Sequence, residues 1–298
     1  MTGTPLGFSR PRVTVVIPAR NESARIGRAI SRIFDAVHAT CEIVVVVDSA
    51  GDPTWTEVQA KASGEPRLRC LVGEYGPGPA NAIRYGIDQA RADTIVVTMA
   101  DNSDDPRQID DLAALVEAGA AVAAASRYSP GGSQIGGPLV KGLLSRLAGR
   151  SLYLLARTGT RDATNSFKAY SSAFIREVGV DSRQGFAIGI ELTAKARRLR
   201  LPVAEIPTVW LDRHDGESAF RLAAWLPAYL RWYLFSFGRV LTAEQVRARC
   251  ARHEAAVAPT QPAVAFVPAQ GRPNEWAAWH VIEPPEGLVS TEGSRGAA

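Results

Sequence analysis

At 298 residues with 46% hydrophobic content, the chain is long enough for one large α/β domain plus appendages. Its net charge of +4, from 34 basic and 30 acidic residues, is too mild to imply nucleic acid but suits anionic ligands or an acidic membrane surface. Three dispersed cysteines without CxxC spacing exclude a zinc or disulfide framework and read as a reduced cytoplasmic protein.

An N-terminal arm, 1–12, has no apolar run of the signal-peptide kind. Short β-branched runs bounded by Gly, Pro, Asp or Asn then alternate with segments of helical period, which predicts a mainly parallel sheet flanked by helices. Strands are expected at Val13 to Pro18, Glu42 to Val47, Arg69 to Val72, Thr94 to Met99 and Ala121 to Ala125. Helices are expected over Asn21 to Ala36 and over Pro79 to Ala90, the second entered through Gly-Pro-Gly-Pro. Leu139 to Arg157 places leucines and basic residues at helical spacing and reads as an amphipathic helix or helix pair, facing either the core or a membrane. Ala219 to Val240 mixes Trp225, Tyr229, Trp232, Tyr233, Phe235 and Phe237 with arginines. Arg231 would cost roughly 3 kcal/mol at a bilayer centre, so this stretch is expected to lie at a membrane interface rather than span it, or else to pack on the domain. The main domain is thus expected over 13–218, amphipathic helices over 219–250, and a Pro/Ala-rich, largely disordered tail over 251–298.

In doubly wound sheets ligands bind at the carboxyl ends of the strands, where Pro18 to Glu22, Asp48 to Asp52 and Ala100 to Asp104 should converge. Asp48 can accept from a base N–H or a ribose hydroxyl, or merely cap the next helix. The carboxylates of Asp101, Asp104 and Asp105 suit a hard divalent cation bridging diphosphate oxygens, with Asp101 facing the ligand and Asp105 nearer a helix cap.

These segments resemble the family 2 glycosyltransferases of the GT-A fold, and more narrowly the dolichyl- or polyprenyl-phosphate mannosyl- and glucosyltransferases. The resemblance continues through GPGPANAIRYGI, Ala125-Ser126-Arg127-Tyr128, the Asp162 to Lys168 block, Gly185 to Glu191, and Arg213-His214-Asp215-Gly216-Glu217-Ser218, collinear over about 200 residues. It implies that Pro18, Ala19, Glu22 and Asp48 hold the nucleoside of a nucleoside-diphosphate sugar and that Asp101 holds Mg²⁺ or Mn²⁺. It also implies that Arg127, Lys141 and Arg213 hold phosphates, with Ser218 at the closing block. The implied reaction is inverting hexose transfer to a polyprenyl phosphate at the inner face of the membrane. An already anionic acceptor needs positioning more than a base, whereas a hydroxyl acceptor would call on Glu191, whose other role is to hold Arg213 or a neighbouring loop. Where the family has Asp-x-Asp, this chain has Met99-Ala100-Asp101, so Asp104 or water must supply a missing ligand. A non-catalytic scaffold keeping the fold is the competing reading from another class.

Overall fold

A computed structural model describes residues 10–137, 139–212 and 222–257, without the side chains of 139–141, 222–223 and 253–257. The expectations for the first nine residues, for Arg213, His214 and Ser218, and for the tail beyond Val257 lie outside the described residues.

The first strands, β1 (Val13–Pro18) and β2 (Cys41–Val47), are runs of β-branched residues buried on both faces, as a sheet covered by helices on each side demands. Between them runs α1 (Ser23–Ala36), which buries Ile26, Ala29, Ile30 and Ile33 at helical spacing. Next, α2 (Pro53–Ala62) starts where Asp52 accepts from the Thr54 N–H and Pro53 fills the first turn. The third strand, β3 (Leu68–Val72), leads through Gly78, at φ +114°, into α3 (Pro79–Asp88). After β4 (Thr94–Val97), α4 (Gln108–Glu117) opens with Asp110 and Asp111 in its first turn, where the helix dipole favours them. β5 (Val122–Ser126), a short β6 (Ser133–Ile135) and α5 (Leu139–Ser151) follow. One turn of π-helix, Leu152–Ala156, ends α5 and is closed by Arg157 in the left-handed conformation.

The expected strand ending at Met99 stops at Val97. There the Thr98 hydroxyl turns inward to Asp104, although the Thr98 N–H still donates to Val16 O. Four later elements had no clear signal in the sequence: β7 (Lys168–Ser171), α6 (Ser172–Val178), α7 (Ile188–Leu199) and β8 (Val203–Pro207). The seven-stranded order is β3-β2-β1-β4-β7-β5-β8, with β7 antiparallel to both neighbours and the remaining pairings parallel. A separate two-stranded sheet joins β6 to β9 (Val209–Leu211). Two helices complete the described chain, α8 (Leu222–Ser236) and α9 (Ala243–Val257), so residues 251–257, within the expected tail, are helical. By its internal contacts the chain divides into two units, 1–247 and 248–298; only 248–257, the end of α9, is described in the second.

The strand order reverses direction at β1, which has β2 on one side and β4 on the other. Crossing connections leave a crevice at such a switch point, at the carboxyl ends of the strands. The loops 19–22 and 98–105 flank it. Gly86 of α3 lies against the sheet, where an added Cβ would sit 2.4 Å from Val16 Cγ1 and 3.2 Å from Val46 Cγ2. This glycine lets α3 lie flat on β1 and β2. Gly86→Ala is therefore expected to lower stability by about 1–3 kcal/mol through overpacking, read as a drop in the urea midpoint at unchanged slope.

Candidate active site

At the crevice, backbone and side chains lock the first two loops together. Asn21, at φ +55°, presents its N–H to both carboxylate oxygens of Asp52 (3.1 and 3.0 Å), and the Glu22 N–H donates to the Thr54 hydroxyl at 2.8 Å. Asp52, not Asp48, caps α2. Asp48 stands half-buried and accepts from the Gly78 N–H at 3.0 Å, with Arg20 Nε 3.9 Å from its other oxygen. Pro18 ends β1 and Ala19 is buried behind it. Glu22 lies beside Arg25 at 3.2 Å. The four residues expected at the nucleoside thus line one continuous stretch of the edge.

The next loop follows β4. Asp101 is half-buried, and its Oδ1 accepts from both the N–H and the hydroxyl of Ser103 (3.0 and 2.6 Å). Asp104 is buried, and its Oδ2 accepts from the Thr98 hydroxyl at 2.8 Å. Burial, followed by the charge of Asp101, pushes the Asp104 carboxyl up to about 7. Asp105 turns instead to Arg107, accepting from its N–H and its guanidinium ahead of α4. Asn102, at φ +63°, accepts from Arg32 through its backbone and side-chain oxygens.

Two residues whose side chains the sequence gave no role complete this end of the crevice. Asp162, fully buried, grips Arg127 bidentately at 2.7 and 2.9 Å and also accepts from the Arg127 N–H. Burial pushes the Asp162 carboxyl upward, but the adjoining Arg127 outweighs this and holds it below the ordinary aspartate value. Ser145, on α5, lies 3.4 Å from Arg127 Nη2 and 2.6 Å from the Thr164 hydroxyl. The guanidinium also faces the rings of Tyr128 at 5.0 Å and Trp210 at 6.0 Å. Its Nη1 edge carries no hydrogen bond among the described residues. Sequence offered no means of pairing Asp162 with Arg127, because they are 35 residues apart and meet only across β7.

Glu191 belongs to a different constellation. Fully buried on α7, it accepts from the Asp181 and Ser182 N–H groups at 2.6 and 2.8 Å and from Lys195 Nζ at 2.6 Å. It holds the neighbouring loop, the second of the two roles anticipated for it. Lys141 lies on α5, and its side chain is not described.

A divalent cation tests the donor set. Among the described residues no group of three His, Cys, Asp or Glu side chains could hold a metal by itself. Asp101 Oδ2 takes no hydrogen bond among the described residues, and ions such as Mg²⁺ are commonly held by one or two carboxylates together with substrate phosphates. The residues fit a cation that shares its ligands with a bound diphosphate.

The profile of the family described as "Glycosyl transferase family 2" matches residues 14–179. An undecaprenyl-phosphate mannosyltransferase of Micrococcus luteus is 26% identical over 213 residues, covering 70% of this chain and 86% of that one. A polyprenol monophosphomannose synthase of Mycolicibacterium smegmatis is 29% identical over 231 residues, covering 72% and 86%. Among solved structures, glucosyl-3-phosphoglycerate synthase from Mycobacterium tuberculosis with Mn²⁺, uridine diphosphate and glucosyl-3-phosphoglycerate aligns with a TM-score of 0.60 at 18% identity, over 80% of this chain and 87% of that chain. The fold is GT-A.

Removing Asp162 strands a buried guanidinium, which typically costs about 3–5 kcal/mol. Asp162→Ala is therefore expected to lower the melting temperature sharply. Because the Asp162 carboxyl is held below its ordinary value, its contribution is present at neutral pH and is lost only as pH falls through its folded-state pKa. The gap between wild type and Asp162→Ala should accordingly close in acid. Asp101→Ala should leave melting nearly unchanged.

Proposed function

The chain belongs to glycosyl transferase family 2, and on that premise we propose that it moves a hexose, with inversion, from a nucleoside-diphosphate sugar to a polyprenyl phosphate. The observation that carries this reading is the Arg127 guanidinium. It is fixed by Asp162 and shares Ser145 with a helix whose Leu143, Leu144 and Leu147 are solvent-exposed. A phosphate bound there would have its hydrocarbon chain beside an apolar surface, and guanidinium pairs with phosphate bidentately.

Pro18, Ala19, Glu22 and Asp48 hold the nucleoside, and Asp101 is the protein's ligand to Mg²⁺ or Mn²⁺. The cation, when bound, offsets charge on the departing diphosphate. Arg127, with Lys141 and Arg213, positions the acceptor. One acceptor oxygen attacks the anomeric carbon from the face opposite the diphosphate; the new carbon–oxygen bond forms as the old one breaks, and the electron pair leaves on the nucleoside diphosphate. No proton has to be removed, because the acceptor is already anionic near neutral pH. Glu191 takes no part as a base: its two oxygens accept the Asp181 and Ser182 N–H groups and Lys195. A saccharide or other hydroxyl acceptor would require such a base, so the phosphate acceptor is favoured.

The same reading assigns the apolar surface to the membrane. Leu226, Leu230, Leu234 and Phe237 are exposed along one side of α8 and beyond its end, and Leu154 and Leu155 of the π turn are exposed at 67% and 73%. The helix touches the end of α5 just before the π turn, with Ser151 Oγ 2.9 Å from the Tyr233 hydroxyl. Arg146, Arg150 and Arg231 lie on the same helices, a composition suited to anionic headgroups at a cytoplasmic membrane face. No helix among the described residues is long and apolar enough to cross a membrane.

Incubating the protein and a polyprenyl phosphate with labelled GDP-, UDP- or CDP-hexoses should move label from one donor into a butanol-extractable lipid. Absence of such a product with every common donor would sink the proposal. Replacing Leu230 and Leu234 together by Glu should reduce sedimentation with anionic vesicles at least several-fold while sparing turnover of a short-chain, water-soluble acceptor.

A further inference from the structure

Four lysines stand among the chain's 34 basic residues, and two of them, Lys168 and Lys195, are fully buried. Lys195 belongs to the Glu191 cluster. Lys168 has no place in the chemistry derived so far. It opens β7, paired with Val97 of β4 on one side and Ala124 of β5 on the other, directly beneath the catalytic edge.

Its ammonium donates to the carbonyls of Asp162, at 3.0 Å, of Ala163, at 3.3 Å, and of Asn165. Three carbonyls from one short loop converge on three donors, which is the full capacity of a protonated lysine. The same loop carries the Asp162 carboxylate that aims Arg127, and the Thr164 hydroxyl that meets Ser145. The Asn165 amide ties it to Ala125 O at 2.8 Å. From the other side α7 closes over the loop at Gly189, where an added Cβ would lie 2.8 Å from Asn165 O and 3.4 Å from Lys168 Nζ.

We propose that Lys168 is a positioning residue, whose charged amine folds the 162–165 loop around itself and thereby sets the angle at which Asp162 presents Arg127 to the acceptor phosphate. The proposal rests on the acceptor reading above. The groups facing the amine are Asp162 in its own loop, Arg127 after β5, Asp104 after β4 and Glu205 on β8. Burial, opposed by Asp162, brings the amine down to about 7. Below that pH it carries three donors for three carbonyls. Above it the neutral amine has two donors, and its lone pair is turned toward a carbonyl oxygen. The loop therefore loosens as pH rises through neutrality.

Two experiments test this. With lysine labelled at Cε, one of the chain's four resonances should titrate near pH 7 and disappear in Lys168→Met. Amide exchange in the 162–165 loop of wild type should quicken over the same range, beyond the ordinary base-catalysed increase. Neither measurement depends on knowing the substrates. No lysine titrating below pH 9, together with an unaltered loop, would overturn the proposal even if the variant failed to fold. Where turnover has been established, Lys168→Met should lower kcat roughly 10- to 100-fold, leave the donor KM within about twofold, and abolish the fall of kcat between pH 7 and 9. A wild-type kcat, or a loss appearing only in the donor KM, would also overturn it. If wild type turns over no sugar while the resonance and loop respond as stated, the acceptor reading fails and the Lys168 linkage stands.

Discussion

The buried pair of Arg127 and Asp162 is the constraint from which the rest of the candidate site follows. Taking both charges out of water costs several kcal/mol per ion, and mutual attraction offsets that only with near-ideal geometry. That geometry is supplied by two guanidinium contacts, by the Arg127 N–H on the same carboxylate, and by a loop tied down through Lys168 and Asn165. The topology explains how the two charges meet. In a purely parallel sheet, only the segments leaving the strands reach the carboxyl edge. Because β7 is inserted antiparallel between β4 and β5, the segment entering it arrives at that same edge. The sheet thereby gains a second set of side chains beside the switch point.

This also explains which parts of the molecule were legible from sequence. β1 and β2 announce themselves, since buried parallel strands are continuous β-branched runs ending in polar loops. β7, Lys-Ala-Tyr-Ser, is short and carries a charged residue, so neither alternation nor hydrophobic content betrays it. The fold class and the switch-point loops were readable because they depend on local signals. Asp162 lies within a motif yet has no readable role, because its meaning depends on a partner at the end of β5, brought beside it by a strand the sequence does not announce. Asp48 and Asp52 show the same limit at short range. Both are plausible caps four residues apart, and only the position of Pro53 at the start of α2 decides between them.

The C-terminal aromatic segment offered two readings, a helix packing on the domain or one lying at an interface, and α8 has features of both. Trp232 is buried, donates to Ser182 Oγ at 2.8 Å and stands 5.4 Å from Lys195. Arg198 of α7 donates to the carbonyls of Phe235 and Arg239 at the helix end, where carbonyls lack intrahelical partners. One side of α8 is thus anchored through the very cluster that occupies Glu191, while its leucines remain exposed. Glu191 links the two regions by holding Asp181 and Ser182 where the indole of Trp232 can reach them.

Electrostatics bears on the change from Asp-x-Asp to Met99-Ala100-Asp101. In the proposed reaction two anions approach one another at this edge, and unit charges 4 Å apart repel by about 1 kcal/mol in water and about 4 kcal/mol near a protein surface. Every ionised carboxylate lining the crevice adds to that repulsion unless a cation covers it. Met99 removes one outright. Asp104, pushed up to about 7, carries a full charge only on the alkaline side of neutrality. Asp162 is neutralised by Arg127. Among the described residues of this half of the site, Asp101, half satisfied by Ser103, and the Arg127 guanidinium remain. An edge with so little uncompensated negative charge can tolerate a diphosphate and a phosphate together, so the substitution at Met99 is compatible with a working site.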